Sequence, residues 1–159
     1  MLTRNFMQML GISSGMGLTN TPKPVGTQGN EISGITIGLG SNTTSIFGSA
    51  YWAKSRFVLG TGNTAAKSTD YKVETEITEG FDCSTLTKRY VQGTEKDYIN
   101  ISGIITNNGS SDITFNEIGW YAFYKLNSDS YEMMLAREVL DNPITIEPGK
   151  SVAINVNLM

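Results

Sequence analysis

The chain of 159 residues contains no histidine. That removes the side chain used most often for proton transfer near neutral pH, and with it Ser-His-Asp triads, Cys-His nucleophile pairs and most zinc sites. Cysteine occurs once, at Cys83, so no disulfide can form within the chain and the thiol has no evident activating neighbour. Charged residues make up only 17% and the formal net charge is −3, with no run of either sign. A nucleic-acid surface needs a basic stripe, and none is present. No apolar stretch approaches the roughly 20 residues that cross a bilayer. The opening MLTRNFMQML also lacks the apolar core, roughly 7–15 residues long, of a secretory signal. These absences lead to the expectation of a soluble, non-enzymatic protein without cofactor, metal, nucleic-acid or membrane partner, made where thiols stay reduced.

What the chain does have is Ser, Thr, Asn and Gly in abundance, with Ile as its leading aliphatic residue. That mixture favours short strands joined by polar turns. The clearest strand signals are Asp97–Thr106 (DYINISGIIT) and the alternating Val152, Ile154, Val156 and Leu158. Asn107-Asn108-Gly109 reads as a tight turn, and Glu147-Pro148-Gly149-Lys150 as a type II turn. Ile113 and Phe115 alternate, but Ile118, Trp120, Ala122 and Tyr124 are out of phase with them, which predicts a β-bulge near Asn116-Glu117. Residues 132–140 read as a strand interior to a sheet that Pro143 ends, with a separate short strand at Ile144 and Ile146. Tyr71–Ile77 reads as a half-exposed strand, and Glu31–Leu39 and Tyr51–Leu59 as further strands. The expected fold is all-β: an antiparallel β-sandwich, immunoglobulin-like or jelly-roll-like, spanning 31–159. It follows an extended N-terminal arm and connector over 1–30. Leu2, Phe6, Met9 and Leu10 recur at helical spacing in that arm, with Thr3 as N-cap and Gly11 as its end. A helix this short needs to dock on the body of the domain or on a neighbouring subunit, and these four form a candidate surface for docking on a partner.

Candidate chemistry is sparse. FVLGTGNTAAKST has the look of a phosphate loop, but Thr61 and Ala66 stand where that loop needs glycine, and a strand rather than a helix follows. Asp70, Glu74, Glu76, Glu79 and Asp82 lack calcium-loop spacing and read as a solvated face. Trp52, Trp120 and neighbouring aromatics offer a platform for sugar stacking, which gives a glycan-binding module as the alternative function. Glu117 and Arg137 each sit among apolar residues. Burying either alone is expensive, so they are a candidate cross-strand ion pair that fixes register.

Three stretches, VLGTGNTAAKSTDYKVETEI, ISGIITNNGSSDITFNEIGWYA and LAREVLDNPITIEPGKSVAINVNL, together resemble a group of tailed-bacteriophage virion proteins. The shared pattern runs in order from a Gly-Thr-Gly loop and Asp-Tyr, through an Asn-Gly turn and Glu-Ile-Gly, to Leu-Ala-Arg-Glu, Pro-Ile-Thr and a Pro-Gly turn. The resemblance covers residues 58–159 and brings no catalytic residues with it. It implies a structural part of a virion (tail, neck, baseplate or capsid decoration) made in the cytoplasm of the host bacterium. The implied partners are copies of itself and other virion proteins.

Overall fold

Residues 98–107 and 151–158 alternate apolar and polar side chains, and both become strands with one face in the core. The computed structural model describes residues 1–13, 24–32, 55–94, 96–126 and 129–158, with the side chains of 9–13, 124–126, 129 and 130 outside that description. Its elements are a helix, α1 (Arg4–Ser13), and seven strands: β1 (Arg56–Gly60), β2 (Phe81–Cys83), β3 (Thr87–Val91), β4 (Tyr98–Asn107), β5 (Ile113–Leu126), β6 (Asp129–Ile146) and β7 (Ser151–Leu158). One sheet has the order β1-β5-β6. In the other, β4 is central, with β2 and β3 along one side and β7 along the other. Every strand pair is antiparallel, so the chain is all-β apart from α1.

The two sheets share one apolar cluster. Phe57 and Leu59 of β1, Phe115, Ile118 and Trp120 of β5, and Met133 and Leu135 of β6 meet Ile101 and Ile105 of β4 and Ile154 of β7. The phase change along β5 is real. Between Phe115 and Glu117, β5 advances two residues while β6 advances five, so Leu140–Pro143 bow outward. That bow explains why Pro143 does not end the strand as its sequence context suggested. Opposite the irregularity no ladder bond asks for the missing N–H, and β6 continues to Ile146. Nor is β6 interior to its sheet, since it is the last strand in the order. It is apolar on both sides because Met133 and Leu135 enter the main core while Met134 joins a smaller cluster with Val58, Val73 and Tyr121 on the opposite face.

Turn chemistry behaves as the residue types require. Gly149 has φ 72 and Lys150 donates to the Glu147 carbonyl, closing the Pro-Gly turn. Asn107 is fully buried, and its amide donates to the Ser111 and Ile146 carbonyls and accepts from the Gly109 N–H, which ties the β4–β5 turn to the end of β6. The stretch after Gly80 is an interrupted strand, β2 then β3, and Leu86 at the interruption reaches the core over Gly103. A Cβ at Gly103 would sit 2.5 Å from the Leu86 side chain.

The N-terminal segment is tied to its own domain. Leu2 forms a bridge with Ala136, the Thr3 N–H donates to the Leu135 carbonyl, and Met1 and Arg137 exchange backbone hydrogen bonds. Thr3 caps α1 through its hydroxyl and also donates to the Met134 carbonyl. Gly11 does not end the helix, which runs on to Ser13. Phe6 is buried against Trp120, with ring centroids 6.1 Å apart. Of the four residues expected to dock on a partner, Leu2 and Phe6 therefore face this chain's own core. The side chains of Met9 and Leu10, together with Trp52 and most of the expected strand at 31–39, lie outside the described residues. The stretch 24–32, expected to be extended, closes a small turn at Gly29 (φ 83). The Asn5 amide holds this turn from both sides of Val25. Truncation of Phe6→Ala should cost about 3 kcal/mol of stability in urea titration. A loss below about 0.5 kcal/mol, the scale of a surface change, would show that the segment is not docked.

Candidate functional site

Glu117, from the irregular part of β5, is fully buried, and Arg137, from β6, is 4% exposed. The register sets Arg137 opposite Gly119 and Glu117 opposite Val139, so the two side chains are diagonal neighbours on the outer face of the β1-β5-β6 sheet. Arg137 Nε donates to Glu117 Oε1. The candidate pair is therefore in contact, and it is part of a larger cluster. Arg137 Nη1 donates to Asp70 Oδ2 at 2.7 Å, and Nη2 lies 3.7 Å from Glu74 Oε2.

Asp70 and Glu74 belong to the stretch 61–77, which crosses this face of the sheet as a roof. The stretch was expected to end in a strand at 71–77 with its carboxylates in solvent. Instead it is irregular, with a single bridge from Glu76 to Gly60. Its backbone is held by side chains from below. The Gly62 and Glu74 N–H groups donate to the two oxygens of Glu117 at 3.1 and 2.8 Å, and the Val73 N–H donates to Tyr121 Oη at 2.7 Å. The Gly-rich loop is thus a cradle for an anion, and the anion is the chain's own Glu117. A Cβ at Gly62 would lie 2.6 Å from both Glu117 Oε2 and Glu74 Oε2, and one at Gly60 would strike Glu117 and the Thr75 carbonyl. Only glycine lets the roof approach this closely.

Electrostatics follow from this packing. Burial would lower the pKa of Arg137, but its hydrogen bonds to Asp70 and Glu117 outweigh burial and raise it. Glu74 is held below the usual carboxylate range by the Thr64 N–H and hydroxyl, with a smaller contribution from Arg137. Burial drives the Tyr121 phenol upward despite the lowering effect of the Val73 N–H. Beside this cluster Arg56 makes two hydrogen bonds to Glu132, at 2.9 and 3.3 Å. Burial raises the Cys83 thiol above its ordinary value, which keeps it protonated.

Chemically the arrangement is a clamp. The oxygens of Glu117 take two roof amides and the guanidinium, and Arg137 spends its side chain on three carboxylates. Among the described residues no group of His, Cys, Asp and Glu could hold a metal ion. Trp120, a candidate for sugar stacking, is 1% exposed and offers no face to a ligand. Sequence reasoning found Glu117 and Arg137 from charges set in apolar surroundings. It missed Asp70 and Glu74 because their spacing matched a solvated strand face. The Asp-Tyr motif and the close Gly-Thr-Gly spacing were the available signals. No protein-family model, curated protein or solved structure matches the chain.

Arg137→Ala should cost about 3–5 kcal/mol, because it strands buried Glu117 beside Asp70. The double change Glu117→Gln with Arg137→Met should recover much of that loss. Equal instability of the single and double variants in urea titration would refute charge stranding as the cause. The carboxyl of Glu74 also makes stability depend on pH. Its folded value is depressed, so it favours folding above the ordinary carboxylate range and loses that contribution as pH falls through the lowered value. In Thr64→Val the fall in Tm between about pH 7 and about pH 3 should be smaller than in the native chain. An unchanged fall would remove the Thr64 hydroxyl as a contributor and leave the backbone N–H at that position, which valine retains.

Proposed function

We propose that the chain is a non-enzymatic structural component of a tailed-bacteriophage virion, working through repeated contacts with copies of itself and with other virion proteins. One observation carries the reading. Four of the seven motifs on which the phage resemblance rests lie far apart in sequence, yet they meet in a single place. Gly60 and Gly62 come from Gly-Thr-Gly, Asp70 from Asp-Tyr, Glu117 from Glu-Ile-Gly and Arg137 from Leu-Ala-Arg-Glu, and all of them belong to the clamp. A pattern whose members make one buried network is a pattern of a fold. Its ordered recurrence along residues 58–159 therefore supports a shared structure rather than scattered short likenesses.

The clamp also suits a mechanical part. Its buried charges hold a loop to a sheet. Two antiparallel sheets around one core support the finer reading of the fold as a β-sandwich of immunoglobulin-like or jelly-roll-like type. Within the virion the proposed places are tail, neck, baseplate or capsid surface. Mass spectrometry of purified particles from the source phage tests the proposal. The chain is expected as a stoichiometric component, and particles that lack it would overturn the reading.

A further inference from the structure

Open sheet edges are templates for additional strands, and proteins usually blunt them with charge, proline, bulges or a covering segment. Three of the edges here are managed in those ways. Met1–Thr3 lies along β6, and further along that strand the edge carries Glu138, Asp141 and Pro143. Thr75–Ile77 lies against the end of β1. The edge formed by β2 and β3 carries Asp82, Lys88 and Arg89. Among the described residues the fourth edge, β7, has none of these devices. Ser151–Leu158 has no charge, no proline and an unbroken register with β4, and among the described residues its other side pairs with no strand.

The ladder determines which backbone groups face outward. Ser84 exchanges hydrogen bonds with the Ile104 backbone from the β2 side, so the Ile104 N–H and C=O point away from β7. Ile104 pairs with Ala153. Because antiparallel ladders alternate, the N–H and C=O groups of Ser151, Ala153, Asn155 and Asn157 point away from β4 into the open edge. Their side chains lie on the exposed face of the sheet, while Val152, Ile154 and Val156 face the core.

We propose that β7 pairs antiparallel with β7 of a second copy of this chain, about a two-fold axis at Ile154. In that register Ala153 of each copy stands opposite Asn155 of the other, and Ser151 opposite Asn157. All four outward N–H groups then find carbonyls, as the two-fold relation of an isologous contact requires. Charge permits the contact, since no like charges meet anywhere along the strand. The inward Val152, Ile154 and Val156 join the two cores across the seam, and the two β4-centred sheets become one continuous sheet.

This inference rests on the assembly reading above for its biological use, and separate measurements distinguish them. A chain found in particles but monomeric in solution defeats the β7 contact alone, and a dimeric chain missing from particles defeats only the virion role. The direct test is sedimentation of the full chain beside Ala153→Pro. Proline at this position removes an outward N–H and leaves the β4 ladder intact. The native chain should sediment as a dimer, and the variant as a monomer with unchanged far-UV circular dichroism. A monomeric native chain, or a variant that remains dimeric, would overturn the proposal. If proline disturbs the fold, Ala153→Lys places a charge on each copy beside the axis and should also give a folded monomer. A dimer that persists in that variant would overturn it equally.

Discussion

A buried guanidinium holds two layers of this molecule together. Arg137 sits on the outer face of one sheet and reaches Glu117 beside it and Asp70 in the roof, with Glu74 farther off. Its own backbone pairs with Met1. Removing two charges from water costs several kcal/mol each, and the cost is offset only where geometry and additional hydrogen bonds are good. That condition is met on the Glu117 side, where both oxygens accept roof amides. The constraint then spreads outward. Glycine is required at positions 60 and 62, and the irregularity in β5 brings Glu117 to the same outer face as Gly119 and Tyr121. The N-terminal segment is held beside the same strand.

Much of this was legible where a residue's role is local. Alternation marked β4 and β7, Pro148 and Gly149 marked a turn, and the phase break between Phe115 and Ile118 marked the irregular point in β5. The charges at Glu117 and Arg137 were conspicuous because their neighbours are apolar. What could not be read depends on contacts far apart in sequence. Glu74 occupies the polar phase of an apparent strand, but the roof is not a strand, and its hydrogen bonds go to Thr64. Pro143 looked like a terminus because the bow in β6 is created by pairing with β5, which no local pattern records. Leu2 and Phe6 looked available to a partner because the groove that receives them is formed by strands more than a hundred residues away in the chain.

The same structural logic ties the fold to the proposed role. In this domain the buried charges of Glu117 and Arg137 join the roof to the sheet. Its covered or charged edges would leave the proposed assembly to the open edge of β7.

The clamp holds the irregular roof as firmly as a strand is held. Native-state amide hydrogen exchange tests this directly at Gly62, Val73 and Glu74, whose N–H groups end on buried side-chain oxygens. All three should exchange as slowly as core amides of β4, close to the limit set by global unfolding. In Glu117→Gln the protection at Gly62 and Glu74 should fall while that of β4 persists. Exchange at these positions in the native chain as fast as in exposed loops would show that the clamp does not hold the roof.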